Sequence, residues 1–386
     1  MPDSLPNETD RVVRLLAAGP DPARMLPARI LPARILPARI LIVSDAWMPQ
    51  VNGVVRTLAT LRGELRAMGH EAEVIGPDRF RTVPCPTYPD IRLSLFPRRS
   101  LAAMIEGYAP DALHIATEGP LGLAARAWAR RRGCAFTTAF HTRFPEYIAA
   151  RTGLPTAPAY AWLRRFHGAG KGMMVASGTL REELAARGFR HLRAWSRGVD
   201  LASFRPDERE EWNLPRPVFL YVGRVAVEKN IRAFLDLELP GSKVVVGGGP
   251  QLPALQREYR SVTFTGPRSG VALARAYAGA DVFVFPSLTD TFGLVLLESL
   301  ACGTPVAAYD VTGPRDVLAG SAGRVGVVDA DLRRAALAAL AGDRAACRAH
   351  AQRFSWRACA EAFLSHLVPL GGHPPLVRAA SGTAPP

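Results

Sequence analysis

The sequence predicts an α/β protein of two doubly wound, Rossmann-like domains facing a central cleft, and three observations carry that prediction. From Arg39 onward, short fully apolar runs alternate with amphipathic stretches, the pattern of a parallel sheet covered on both faces. The pattern breaks at FRPDEREEWNLPRP (204–217), an acidic, proline-punctuated segment, and then starts again. At 386 residues the chain is also long for a single core, so two are the default.

LPARILPARILPARIL (26–41) repeats a five-residue unit with a proline in each copy. That spacing forbids a continuous helix, and no solenoid has so short a unit in so few copies. Residues 1–37 are therefore expected to be disordered, with the last copy running into the buried strand ILIVSD. The first domain, 38–205, continues with a helix over VVRTLATLRGELRAMG and the strand EAEVIGP. It then alternates ALHIAT, the helix LGLAARAWARRRG, AFTTAFH, GMMVAS and the helix TLREELAARG. The second domain, 206–350, carries the strands VFLYVGR, KVVVGGGP, VTFTG, DVFVFPS and PVAAYD. RFSWRACAEAFLSHL supplies a closing amphipathic helix, 351–368, expected to pack back towards the first domain, and 369–386 reads as a loose tail.

Composition removes several classes. With 48% hydrophobic and 21% charged residues the chain can bury both cores, so global disorder is excluded. No apolar run reaches the ~18 residues that a membrane span needs. Asp3, Glu8 and Asp10 stand where a secretory leader would be basic and then apolar. Five cysteines without a CxxC pair fit reduced thiols in a cytoplasm rather than a disulfide frame or a zinc site. Residues 1–200 hold 28 Lys+Arg against 17 Asp+Glu, a net of +11, whereas the remainder nets only +3. A basic first half attracts a polyanion, either nucleic acid or an anionic membrane surface.

In a doubly wound sheet, ligands gather at the carboxyl ends of the strands, so the loops there hold the candidates. In DAWMPQVNGVVRT, Gly53 sits just before a helix and lets a ligand approach an anion-binding N-terminus. In VFLYVGRVAVEKN, Arg224 and Lys229 stand on a strand-to-helix loop, a fork and a point charge suited to a diphosphate. In SLTDTFGLVLLESLACGTPV, Gly293 marks a helix start, and the amides of Phe292, Gly293 and Leu294 would point at a ligand. Asp290, in the loop before them, can accept from sugar hydroxyls. Glu298, one to two turns into the helix, can take the paired hydroxyls of a ribose. His141 ends a buried strand of the first domain, where cleft residues lie. Two look-alikes are set aside. VVVGGGPQL has Leu252 in the third glycine's place of a dinucleotide fingerprint, and the Asp329/Asp331 pair reads as a surface loop. The eight histidines form no metal spacing.

PSLTDTFGLVLLESLACGTPV, with the upstream GRVAVEKN, resembles the retaining GT-B glycosyltransferases of family four. Their signature is a Glu, seven residues and a second Glu in a Pro-Ser…Phe-Gly…Glu-Ala…Gly-Thr-Pro-Val frame, and the likeness covers residues 39–368. It implies Arg224 and Lys229 on the donor diphosphate, Glu298 on the ribose, and Asp290 with the amides of 292–294 on the transferred sugar. It places Gly53 near the phosphate and His141 beside the sugar, so His141, Arg224, Lys229 and Asp290 form the implied catalytic set. No cofactor and no essential metal are implied. One departure stands out: the first acid is Asp290 rather than Glu, one methylene shorter. FHTRFPEY, WLRRFH and WSRGVD further resemble the sulfolipid-synthase and glycolipid-forming branch, which glycosylates diacylglycerol at membranes.

The expected activity is retaining transfer of a hexose from a nucleoside diphosphate sugar, UDP-sugar favoured, to a membrane lipid such as diacylglycerol. The enzyme is expected in the cytoplasm, docked peripherally on the inner face of the cell membrane. AYAWLRRFHG, with aromatic and basic residues together, reads as an interfacial helix. The alternative is transfer from GDP-mannose or UDP-glucose to a soluble or polyprenyl-linked glycan. A rival of another class is a non-catalytic, basic, anion-binding protein. No aromatic-basic RNA motif or recognition helix appears, so nucleic acid is not an expected partner.

Overall fold

A computed structural model describes residues 38–50, 52–85 and 88–371. The repeat as far as residue 37 and the tail beyond 371 lie outside the described residues. The first sheet runs β2-β1-β5-β6-β7-β8, with every neighbouring pair parallel. Its strands are β1 (Arg39–Val43), β2 (Glu71–Ile75), β5 (Ala112–Ile115), β6 (Thr137–Phe140), β7 (Gly172–Val175) and β8 (Leu192–Ala194). The second runs β11-β10-β9-β12-β13-β14, also parallel throughout. It is built from β9 (Val218–Val222), β10 (Ser242–Val246), β11 (Thr263–Gly266), β12 (Val282–Phe285), β13 (Val306–Tyr309) and β14 (Gly326–Asp329).

The apolar runs behave as a strand period of two requires. On β1, Ile40 and Ile42 join a cluster with Leu58, Leu61, Trp195 and Phe363, while Leu41 and Val43 join another with Ile115, Leu121 and Trp128. On β9, Val218 and Leu220 pack against Tyr277 and Leu297, whereas Phe219 and Tyr221 pack against Phe234 and Ile231. Each sheet thus buries both faces, which is why its strands read as unbroken apolar runs. In the first sheet the strand order reverses between β1 and β5, and in the second between β9 and β12. Those are the points where crossovers leave in opposite directions and open a crevice.

Two sequence expectations change. A hairpin, β3 (Thr82–Cys85) with β4 (Tyr88–Ser94), pairs antiparallel where no strand was read. Prolines 84, 86 and 89 hide it, since Pro demotes a strand pattern unless the strand lies at an edge. The helix Ala157–His167 turns Tyr160, Leu163 and Phe166 inward and leaves Trp162 46% exposed. The side chains it leaves exposed include Trp162, Arg164 and Arg165, and Ile148 and Leu154, earlier in the chain, are exposed as well. Among the described residues no helix is long and apolar enough to cross a membrane.

The last helix, Trp356–His366, lies on the first sheet. Phe363 packs with Ile40 and Trp195, and the Trp195 indole N–H donates to the Cys359 carbonyl at 3.1 Å. Beyond it Pro369 bridges Ala112, and the Leu370 N–H donates to the Asp111 carbonyl at 2.8 Å. The chain is pinned as far as Leu370, past residue 368 where the sequence reading released it, because the open edge of this segment finds backbone partners.

Phe363 is fully buried, so Phe363→Ala removes an aromatic ring from the first sheet's core. The expected loss is about 3–5 kcal/mol, read as a lower urea midpoint with the slope unchanged. An unchanged midpoint would mean that the helix docks without holding the sheet.

Candidate active site

The second sheet's switch point presents two loops side by side. After β9 the chain passes Gly223 and Arg224 to a short turn, Val227–Lys229, and after β12 it runs through Ser287 to Gly293. Asn230 ties them, its amide donating to the Pro286 carbonyl at 3.1 Å, and Lys229 Nζ lies 2.5 Å from Asp290 Oδ1. Burial pushes the Lys229 ammonium down, but Asp290, Tyr147 and Tyr221 together outweigh burial and leave it raised, hence charged. Asp290 Oδ2 is buried and has no hydrogen-bond partner.

The glycines set aside as a dinucleotide fingerprint have a different task here. A methyl group on Gly247 would sit 1.8 Å from the Gly223 carbonyl oxygen, and one on Gly249 would sit 2.4 Å from that of Val225. The Val225 N–H donates to the Gly248 carbonyl at 2.9 Å. These glycines let the β10 loop lie directly on the loop that carries Arg224, which fixes its backbone.

The helix Leu294–Ala301 starts at Gly293, whose φ of +87° suits glycine. A methyl group there would come 3.0 Å from Leu296 Cδ1. No side chain caps this end, which carries the positive end of the helix dipole. The N-terminus of the first-domain helix Gly53–Ala67 meets it: a methyl on Gly53 would stand 3.9 Å from Leu294 Cδ1. Asn52 Oδ1 accepts from the Val54 and Val55 amides of that helix. One turn further in, Arg56 of the first domain forms an ion pair with Glu298 Oε1, and the Tyr277 hydroxyl donates to Oε2 at 3.2 Å. Glu298 is only 3% exposed. Burial raises its carboxyl, against Arg56 and Tyr277, and the net direction is upward.

His141 closes the site from the first domain, at the carboxyl end of β6. The Thr291 hydroxyl, between Asp290 and Phe292, donates to the His141 carbonyl at 2.8 Å. His141 Nδ1 accepts from Arg197, and Nε2 is buried without a partner. Burial first, and then the charge of Arg197, hold the imidazole well below its ordinary range, so it is neutral. Further polar links cross the cleft. Arg143, held in a two-pronged pair by Glu183 (2.9 and 2.6 Å), reaches the Thr312 hydroxyl at 2.8 Å, and Thr179 donates to Asp316.

The structure therefore gathers Gly53, His141, Lys229, Asp290, Gly293, Leu294 and Glu298 at one cleft, with Phe292 packed behind and Arg224 on the adjoining loop. Sequence reasoning missed Arg56, Tyr147, Tyr277 and Arg197. Arg56 follows Gly53 by one helical turn, and Tyr147 and Arg197 lie inside FHTRFPEY and WSRGVD, where only the family likeness marks them. Asp329 and Asp331 do surface work, the first pairing with Arg334 and the second capping the helix Leu332–Ala338. Among the described residues no group of three or more His, Cys, Asp or Glu is placed to hold a metal.

Known proteins agree with this architecture. The family model described as "Glycosyltransferase Family 4" matches residues 51–203, and that of "Glycosyl transferases group 1" matches 216–342. A GDP-mannose-dependent alpha-mannosyltransferase of Mycobacterium tuberculosis is 34% identical over 304 residues, 72% of this chain and 80% of the relative. An alpha-monoglucosyldiacylglycerol synthase of Streptococcus pneumoniae is 28% identical, over 69% of this chain and 70% of its own. The solved sucrose-phosphate synthase of Thermosynechococcus elongatus superposes with a TM-score of 0.65 at 23% identity, covering 84% of this chain and 96% of that one, a likeness of fold alone. Two facing parallel sheets, the two matched family models and a relative spanning most of its length lead to one conclusion: the chain belongs to glycosyltransferase family 4 and is a hexosyltransferase of GT-B fold.

Proposed function

We propose that the enzyme moves a hexose from a nucleoside diphosphate sugar to a membrane lipid such as diacylglycerol, with retention of configuration. The observation that carries this reading is a pair of buried atoms without partners, Asp290 Oδ2 and His141 Nε2, on either side of Thr291. One can only accept a hydrogen bond and the other, in the tautomer that Arg197 selects, can only donate. Sugar hydroxyls do both.

The donor diphosphate would lie where the helices Gly53–Ala67 and Leu294–Ala301 meet, against the uncapped first turn of the second and beside Arg224 and Lys229. As the anomeric carbon–oxygen bond breaks, charge grows on the departing diphosphate, and these groups meet it without reorganising. The acceptor oxygen bonds the anomeric carbon on the same face, and its proton passes to the leaving diphosphate oxygen. No metal takes part in this scheme. Glu298 would receive the ribose hydroxyls by exchanging or sharing Arg56. Support for a lipid acceptor comes from the relative named for monoglucosyldiacylglycerol and from the exposure of Trp162, Ile148 and Leu154 and of Arg164 and Arg165. A second reading, GDP-mannose as donor, is favoured by the name of the 34%-identical relative.

Donor hydrolysis across UDP- and GDP-sugars, in the presence of a chelator, tests the core of the proposal. One nucleotide series is expected to be hydrolysed, and turnover of none, or only with added metal, would overturn it.

Glu298→Gln should raise KM for the donor by up to about a hundredfold, because a charge-assisted hydrogen bond is worth ~1.5–3 kcal/mol. Lys229→Ala should instead cut kcat by ~10²-fold or more. Unchanged donor kinetics in folded variants would place the nucleotide elsewhere.

Sedimentation with anionic liposomes should carry the protein down at low salt and release it at high salt, each surface arginine contributing ~1 kcal/mol. Arg164→Glu with Arg165→Glu should reduce both sedimentation and transfer to vesicle lipid while donor hydrolysis persists. A wild-type protein that stays in the supernatant at low salt would point to a soluble acceptor.

A further inference from the structure

Arg197 is a cation in an unusual place. It follows β8, is 4% exposed, and has no carboxylate partner among the described residues. One terminal nitrogen donates to the Trp195 and Ser196 carbonyls at 2.7 and 3.1 Å, and the guanidinium lies over the Trp195 ring, 4.1 Å from its centre. The other terminal nitrogen donates to His141 Nδ1 at 3.3 Å. Burial draws its pKa down to about 10, which leaves it charged near neutrality.

A guanidinium offers only donors, so the ring nitrogen facing it must carry a lone pair. The proton of neutral His141 then sits on Nε2, the atom that lies buried without a partner. Protonating His141 would set an N–H against an N–H and one positive charge against another. The other groups packed around the ring do not offset this. His114 is buried and neutral, with Nδ1 on the Thr137 hydroxyl, and His167 is engaged by Glu118 and Thr138. Trp195 presents its ring edge-on, and from the second domain Thr291 reaches only the His141 carbonyl. Asp290 and Lys229, next to Thr291, are paired with each other.

We propose that Arg197 is a positioning residue that locks His141 in its neutral Nε2–H tautomer, so that the imidazole serves the transferred sugar as a fixed hydrogen-bond donor and cannot act as a base. The proposal rests on the reading that His141 faces the donor sugar. It makes His141 a selector for a sugar oxygen that accepts, and it leaves the acceptor hydroxyl's proton to the departing diphosphate. A donor sugar lacking that oxygen strands the buried N–H and is rejected.

The test is long-range ¹H–¹⁵N correlation on histidine-labelled protein, with His141 assigned by its loss in His141→Asn. The wild type should show the Nε2-protonated pattern, unchanged from pH 8 down to 5.5. Arg197→Lys keeps a donor and a charge, so it should retain the pattern and most of the activity. Arg197→Met should mix the tautomers, move the His141 titration upward, and lower kcat/KM about tenfold, one neutral hydrogen bond's worth. Its activity should also fall as pH drops through the raised pKa. If Met does not fold, Arg197→Gln, whose uncharged amide can donate or accept, should likewise mix the tautomers and allow titration. A wild-type His141 that is Nδ1-protonated or cationic at pH 7, or an Arg197→Met protein with the wild-type pattern, overturns the lock. If the lock is observed but His141→Ala hydrolyses donor normally, the lock stands and the placement of His141 at the sugar fails instead.

Discussion

Charge buried between the two sheets cannot be left alone, and the architecture of the cleft follows from that. A carboxylate as enclosed as Glu298 keeps its charge only with a cation against it. Arg56 supplies that charge from the opposite domain, and Tyr277 completes the set. The same necessity recurs along the cleft. Arg143 is buried against Glu183 and extends to Thr312, and Asp316 is satisfied by the backbone and hydroxyl of Thr179. The apolar clusters, by contrast, are organised mainly around one sheet or the other. At their facing loops the halves are joined by directional polar contacts rather than by shared oil. Such contacts exchange for those of a polar ligand at small net free energy, because each hydrogen bond given up is replaced.

Much of the fold was legible because burial on both faces writes itself into the sequence as apolar runs, as in ILIV, VFLYV and DVFVF. The candidate acids were legible because they interrupt such a region at a strand-to-helix turn, where a charge has no packing reason to be. What stayed hidden depends on partners far away along the chain. Nothing near Arg56 in sequence announces that it will meet Glu298. Nothing local to Arg197 says that its guanidinium will be buried without an acid. Local chemistry also misled where prolines masked the β3–β4 hairpin, and where aromatic residues beside arginines on the Ala157–His167 helix proved mostly to be core.

The departure at Asp290 gains a physical meaning in this setting. A shorter acid holds one carboxylate oxygen on Lys229 and keeps the other buried in the cleft. A glutamate would carry that second oxygen a methylene deeper towards whatever occupies the site. On the proposed reading, in which Asp290 faces the donor sugar, the room available there is set partly by this one difference. The glycines at 247 and 249 act at a longer remove, since their missing side chains let β10's loop brace the backbone that displays Arg224.

The return of the last helix bears on how the protein comes into being. Ile40 and Ile42 are synthesised before the second domain, but a quarter of the cluster that shelters them, Cys359, Ala360, Phe363, Leu364 and Leu367, is made after it. Throughout synthesis of the entire second domain, the first carries an uncovered apolar strip beside Trp195. Its final packing must wait for a contact spanning most of the chain, which is slow to form and open to aggregation meanwhile. The nascent protein needs shelter at that strip, and a ribosome stalled shortly before the last helix would release a chain whose first domain cannot close its core.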